Sequence, residues 1–456
     1  MSITRKAAVA AMIAPLLFFA PAIAVAETIS GAMAKAYQYN PDLNAVRAAL
    51  RATDENVTIA KSGFRPQIGA SAGVTGIDIR DGLNYRTHSA GVSITQQVFD
   101  GFQTLNNVRS AESGVLASRE NLRANEISLL LSAAQAYAVV ARNQQIVVIR
   151  RQNLNFLEEQ VKAAESRLVV NEGTRTDVAQ SQAEAAAAKA ALSTAIAALK
   201  SSEATYVQIV GDAPKGIKQP VPAKRGLPSN LDNAVATGIK EHPSVLASLH
   251  SVDAAGYQVK SAEGILLPGV VIQGSVNQSG TTQPGFFGQP QEDTVAGSVT
   301  AQLRIPIYQG GAEYGRVRQA KERLGQQRIL VDSVRASVQQ TIVSAYAQYE
   351  AAKASIVANR EQIAAAKVAL SGVLEERNVG QATTLDVLTT QRDLLEAQES
   401  LVLSQYIAVV ASYSVIASMG RLTVTGQGLQ VAEYRPEKHY EAVKDKWFGL
   451  RTVDGR

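Results

Sequence analysis

Cysteine is absent from all 456 residues, histidine occurs four times and tryptophan once. No disulfide framework is available, and with no cysteine after the leader described below, no lipid anchor is expected at the mature N-terminus. His88, His242, His250 and His439 are scattered, with no pair at metal-ligand spacing on one helix face. Neither a G-x-S-x-G stretch, a Walker loop nor a dinucleotide fingerprint occurs. No catalytic residue, metal ligand or cofactor can be named, and the reading is of a protein that is not an enzyme. Charge is nearly balanced. The formal excess of +5 falls to +3 once Arg5 and Lys6 leave with the leader, which gives nucleic acid no support as a partner. Past residue 26 no apolar run is expected to reach the roughly 20 residues of a spanning helix, so a membrane would have to be entered as β-strands.

Two further absences point to structure. Residues 67–213 and 307–435 lack proline, and 115–172 and 326–371 lack glycine as well. These stretches are rich in Ala, Leu, Gln, Glu, Lys and Arg, which predicts helices of about 65 residues, near 100 Å in length. Helices so long need neighbours along their whole course. At the start, Arg5 and Lys6 precede an apolar run to Ala24, and Ala24-Val25-Ala26 is a small-x-small cleavage site. Residues 1–26 read as a secretory signal peptide.

The chain repeats itself. Asn40-Pro41 aligns with His242-Pro243, and "QQVFDGF" (96–102) with "RIPIYQGG" (304–311). Beyond these, Tyr137 and Asp177-Val178 align with Tyr346 and Asp386-Val387, each 209 residues apart. Each copy reads as a filler helix, a strand pair, a long helix, a turn and a half-length return helix. The filler, stacked end to end with the return helix, would cover the rest of the long one. The expected division is signal peptide 1–26, N-terminal and filler helices 27–66, hairpin 67–98, long helices 99–213 and an equatorial linker 214–243. The second copy gives filler 244–267, hairpin 268–307 and long helices 308–420, followed by a polar tail 421–456, equatorial or flexible.

The hairpins set the fold class. Ile68, Ala70, Ala72 and Val74 alternate with Gln67, Gly69, Ser71, Gly73 and Thr75. Val295, Gly297, Val299, Ala301, Leu303 and Ile305 alternate with Ala296, Ser298, Thr300, Gln302 and Arg304. Period-two patterning over about ten residues suits a transmembrane β-strand with lipid on one side and water on the other. A hairpin of a soluble sandwich alternates in the same way; the leader and the small polar residues of the second face favour the membrane. Two hairpins supply four strands, too few to close a barrel, and an open edge is forbidden in lipid. Several copies must therefore share one barrel, and the class is a mixed α/β membrane protein with an internal two-fold repeat.

"FDGFQTLNNVRSAE" (99–112), "YQGGAEYGRVRQAKERL" (308–324) and "VGQATTLDVL" (379–388) resemble the TolC family of outer-membrane channels, over residues 28–420. The resemblance implies a homotrimer with a twelve-stranded β-barrel in outer-membrane lipid, continuing into a long periplasmic α-helical barrel. It implies docking to a periplasmic adaptor (membrane fusion) protein and an inner-membrane RND or ABC transporter. The protein would be the passive duct of a tripartite efflux pump or type I secretion system. It also implies that Asp386 forms a carboxylate ring at the periplasmic constriction, with Thr389 where the family often has a second acid. Thr176 and Asp177 match first-turn residues that link the closed tip. The basic second-turn partner corresponds to Ala382, and Arg175 is the candidate substitute. From the residues alone, Gly173 is the chain-reversing breaker, and Thr176 or Asp177 serves equally as an N-cap. The rival readings are a structural coiled-coil or adhesin protein of the envelope and, with no nucleophile to name, an exported enzyme.

Overall fold

A computed structural model describes residues 27–78, 85–282 and 293–455. The signal peptide and the outer parts of both hairpin loops lie outside the described residues. The first copy comprises α1 (Ile29–Tyr39), α2 (Pro41–Lys61), β1 (Gln67–Ile77), β2 (Tyr85–Phe99), α3 (Gln103–Val169) and α4 (Arg175–Val210). The second repeats the order as α5 (Leu231–Glu241), α6 (Pro243–Gly264), β3 (Gly269–Thr282), β4 (Thr294–Arg304), α7 (Ala312–Asn378) and α8 (Thr384–Ser418). Two short helices follow, α9 (Val424–Gln427) and α10 (Glu437–Val443).

Equivalent helices begin with equivalent chemistry. Asn40 and His242 cap α2 and α6, each followed by proline at the first helical position, where a missing N–H costs nothing. Both α3 and α7 run for 67 residues, about 100 Å at 1.5 Å per residue. Helix α4 returns along α3 and stops; where α2 takes over, the Asn40 amide donates to the Ile209 carbonyl at 3.1 Å. Helix α6 packs against both α3 and α7 and so ties one copy to the other.

The main core lies where α1, α3, α4 and α8 meet, around Tyr37, Leu130, Tyr137, Tyr206 and Ile416. The Tyr137 hydroxyl donates to the Glu27 carbonyl at 2.6 Å and accepts from the Lys218 N–H at 3.0 Å, pinning the segment before α1 to the stretch between α4 and α5. Burial pushes its pKa up to about 12. The core also corrects one expectation. Among the described residues both α3 and α8 hold a stretch long and apolar enough to cross a membrane, but α3 buries Leu130, Ala134, Tyr137 and Val140, and α8 buries Val409, Ser412, Val415 and Ile416, within the protein.

The four strands form one antiparallel sheet in the order β1-β2-β3-β4. Its register keeps the two faces distinct across all strands: Ile68 pairs with Ile94, Ile94 with Gly274 and Gly274 with Val299. One residue along, Gly69 pairs with Ser93, Ser93 with Ser275 and Ser275 with Ser298. The first row is apolar and the second small and polar. Every residue of β1 and β4 is exposed, so neither face finds a core in its own chain. Strands β1 and β4 present open edges.

The sheet meets the helices at a close approach. Gly101 has φ +67°, and a Cβ there would sit 2.2 Å from the Gly264 carbonyl oxygen; a Cβ on Gly264 would lie 2.4 Å from that of Gly101. Both obstacles are backbone. Gly264→Ala is expected to lower thermal stability by roughly 1–3 kcal/mol, read from the unfolding midpoint, because the β2–α3 corner must lift off α6.

Candidate gate and conducting surface

The two helical turns are built alike. At the end of α3 the chain reverses through Asn171 (φ 61°), and at the end of α7 through Gly380 (φ 82°), positions 209 residues apart. The Glu172 N–H returns to the Arg167 carbonyl at 2.9 Å and the Gln381 N–H to the Glu376 carbonyl at 2.8 Å, satisfying helix-end acceptors. Asparagine tolerates the left-handed region, so the reversing residue is Asn171 and not Gly173.

The returning helices begin with capping boxes. Thr174 is the N-cap of α4, and its hydroxyl accepts from the Asp177 N–H at 3.1 Å while the Asp177 carboxylate accepts from the Thr174 N–H at 3.0 Å. Thr383 and Asp386 repeat this at α8, at 3.2 and 2.8 Å. Neither Thr176 nor Asp177 is therefore the N-cap; Asp177 is its partner three residues on. These hydrogen bonds hold both carboxyls below the usual aspartate range. Both stay ionised at neutral pH, and the capping contribution is present above the ordinary aspartate pKa and lost as pH falls through the lowered one.

The turns differ in what surrounds each carboxylate. Asp177 is half-buried, and the Thr384 side chain and the Arg167 charge lower its pKa further, so it looks across to the second turn. Asp386 is exposed, and its capping bonds from Thr383 use one oxygen only, leaving the other open to solvent. Thr389 lies exposed one turn further along that face, followed by the exposed Asp393 and Glu396. The Arg175 and Thr176 side chains are exposed and make no hydrogen bond or ion pair with any described residue of their own chain.

Other residues join the two helical pairs. Arg167 donates to Asn378 at 3.0 Å, Arg377 pairs with Gln160, and Arg392 with Glu184. Higher up, the buried Gln391 donates to Asn153 at 2.8 Å, and Leu388 packs between Leu157 and Ala188. Arg150 holds its Nε 2.7 Å from Glu399 Oε1 and donates from Nη2 to Oε2 at 2.9 Å. None of these was singled out from the sequence. A signal existed near the tip: three of the pairs are separated by 208, 211 and 217 residues, close to the repeat offset. Equivalent parts of the two copies lie side by side there.

The family model described as outer membrane efflux protein matches residues 32–212 and 237–421. The chain is 49% identical over 434 residues to the outer membrane efflux protein BepC of Brucella suis, covering 95% of this chain and 94% of that one. It is 24% identical to the outer membrane protein TolC of Escherichia coli, covering 87% and 83%. The solved structure of the outer membrane protein VceC from Vibrio cholerae superposes with a TM-score of 0.72 at 20% identity, covering 86% of this chain and 96% of that chain.

Proposed function

The chain belongs to the outer membrane efflux protein family, and on that premise we propose that it is the passive duct of a tripartite efflux pump or type I secretion system, gated at its periplasmic end. It is an outer-membrane export channel: three four-stranded sheets close a twelve-stranded barrel, and the paired long helices extend into the periplasm. The observation that carries the reading is the sheet exposed on both faces and open at both edges. Lipid takes the apolar face, water the polar one, and neighbouring copies the edges. A barrel of twelve strands leaves room for a water-filled bore. With no chemical step assigned to this chain, energy comes from an inner-membrane RND or ABC transporter reached through a periplasmic adaptor protein.

The gate is the pair of turns. The open oxygens of three Asp386 carboxylates face the axis and form a cation-attracting collar. Asp393, two turns along the same face, takes the part of the second acidic ring that Thr389 leaves vacant. Asp177 engages Thr384, supplying the link that Ala382 and Arg175 do not make within the chain. Planar-bilayer recording of the purified trimer tests the reading: discrete conductance is expected, and its absence would return the protein to a structural coiled-coil role. Asp386→Asn keeps an oxygen for the cap but removes the charge. It is expected to cut cation selectivity and weaken divalent-cation block, read as the reversal potential in a salt gradient. An unchanged reversal potential removes Asp386 from the constriction. Deleting the gene and measuring drug susceptibility alongside the secreted-protein profile distinguishes efflux from secretion as the duty.

A further inference from the structure

The C-terminal tail climbs one side of α2 toward the membrane. His439 Nδ1 lies 2.8 Å from the buried Asp54 carboxylate, Thr58 donates to the Val443 carbonyl at 2.8 Å, and Lys61 pairs with Asp445 at 2.6 Å. Arg65 donates to the Lys446 carbonyl at 2.8 Å, two residues before β1 begins at Gln67. Each contact is further along both segments than the one before, so the tail runs parallel to α2 up to the edge of the sheet. There it turns back. Lys446 Nζ donates to the Arg451 carbonyl at 2.6 Å, Gly449 takes φ 112°, and Asp454 returns to within 3.7 Å of Arg51, lower on α2.

The tip of this turn carries the most exposed apolar side chains of the tail. Trp447, Phe448 and Leu450 are 65%, 90% and 103% exposed. The Arg65 guanidinium stacks 4.8 Å from the Trp447 ring centroid, and Lys446 and Arg451 flank the loop. Next to it, Phe64 and the lipid-side Ile68 at the start of β1 are also exposed. Aromatic side chains with basic neighbours are the groups that settle at the boundary between headgroups and acyl chains. We propose that the 447–450 loop is an interfacial anchor, inserting Trp447, Phe448 and Leu450 into the phospholipid surface at the periplasmic edge of the barrel. The apolar patch is continuous with the lipid-facing side of β1, and its positive rim suits anionic headgroups. Through the contacts with Asp54, Thr58, Lys61 and Arg65, the anchor would hold α2 upright beneath the barrel.

Trp447 is the one tryptophan in the sequence, so its fluorescence reports this loop alone. The full-length protein is reconstituted into phosphatidylethanolamine–phosphatidylglycerol vesicles, with or without lipids brominated near the top of the acyl chain. Conductance from the same vesicles establishes that the barrel is inserted. Roughly half or more of the Trp447 emission should be quenched by the shallow bromines, and less by bromines near the chain end, as befits an interfacial depth. The variant Phe448→Ser/Leu450→Ser keeps the probe and should reduce the quenching while conductance persists. Unquenched emission overturns the proposal in either form. If water-like, the loop stays in the periplasm; if blue-shifted, a neighbouring protomer covers it.

Discussion

Val299→Arg is expected to abolish stable insertion of the assembled channel, whereas Thr300→Arg leaves assembly intact. Val299 is central in β4 and 83% exposed, on the row it shares with Gly274, Ile94 and Ile68. If that row meets lipid, an arginine at mid-membrane depth costs about 2–4 kcal/mol in each copy, and the trimer bears it three times. Thr300 is the next residue and faces the other way, opposite Gln273. An arginine there stands in the aqueous bore at little cost and adds three positive charges to its wall. Outer-membrane fractions should therefore lack assembled trimer for the first variant. For the second they should retain it, with selectivity displaced toward anions in the bilayer. Equal behaviour of the two variants would mean that the faces have been assigned wrongly.

The contrast between neighbouring residues was legible in the sequence because a strand has a period of two and each face here meets one medium. The long helices were legible for a different reason: proline and glycine are missing where 67 residues must stay helical. Turn details were harder to read. Gly173 looked like the breaker, but the strain falls on Asn171, which a capping carbonyl four residues back already commits to the left-handed region. The first turn's N-cap falls on Thr174, not on Thr176 or Asp177, for a related reason. "TRTD" and "TTLD" each offer more than one hydroxyl, and only the three-residue spacing to aspartate selects Thr174 and Thr383. The apolar stretch of α8 is masked in the sequence because Ser, Gln and Tyr interrupt it, although no charge does. Cross-helix pairs such as Arg150–Glu399 leave no local pattern, since a helix packed on several sides carries no single apolar stripe. Nor did the tail announce its route: its partners on α2 and just beyond it lie some 380 residues earlier, joined by single hydrogen bonds and ion pairs.

Arg150→Glu is expected to open the periplasmic end and raise single-channel conductance several-fold. Arg150 on α3 meets Glu399 on α8 well inside the contact between the two helical pairs, with about three quarters of each side chain out of solvent. Beside it the buried Gln391–Asn153 bond and the Leu388–Leu157–Ala188 cluster fasten the same two elements. Reversing Arg150 replaces an attraction with two like charges at hydrogen-bond distance. A part-buried charged contact of this kind is worth roughly 1–2 kcal/mol once solvent screening is allowed for. Its loss in three copies shifts the closed-to-open ratio by about two orders of magnitude or more. The Arg167–Asn378 and Arg392–Glu184 links nearer the turns are more exposed, so each alone should matter less. Glu399→Arg should open the channel for the same reason. The double variant Arg150→Glu/Glu399→Arg restores opposite charges across the contact and should return conductance toward the parent value. That non-additivity is the reading that matters. Opening in the singles with no recovery in the double would show that local damage to α3 or α8, and not the pair itself, had released the tip. Unchanged conductance in both singles would remove the α3–α8 contact from the gate.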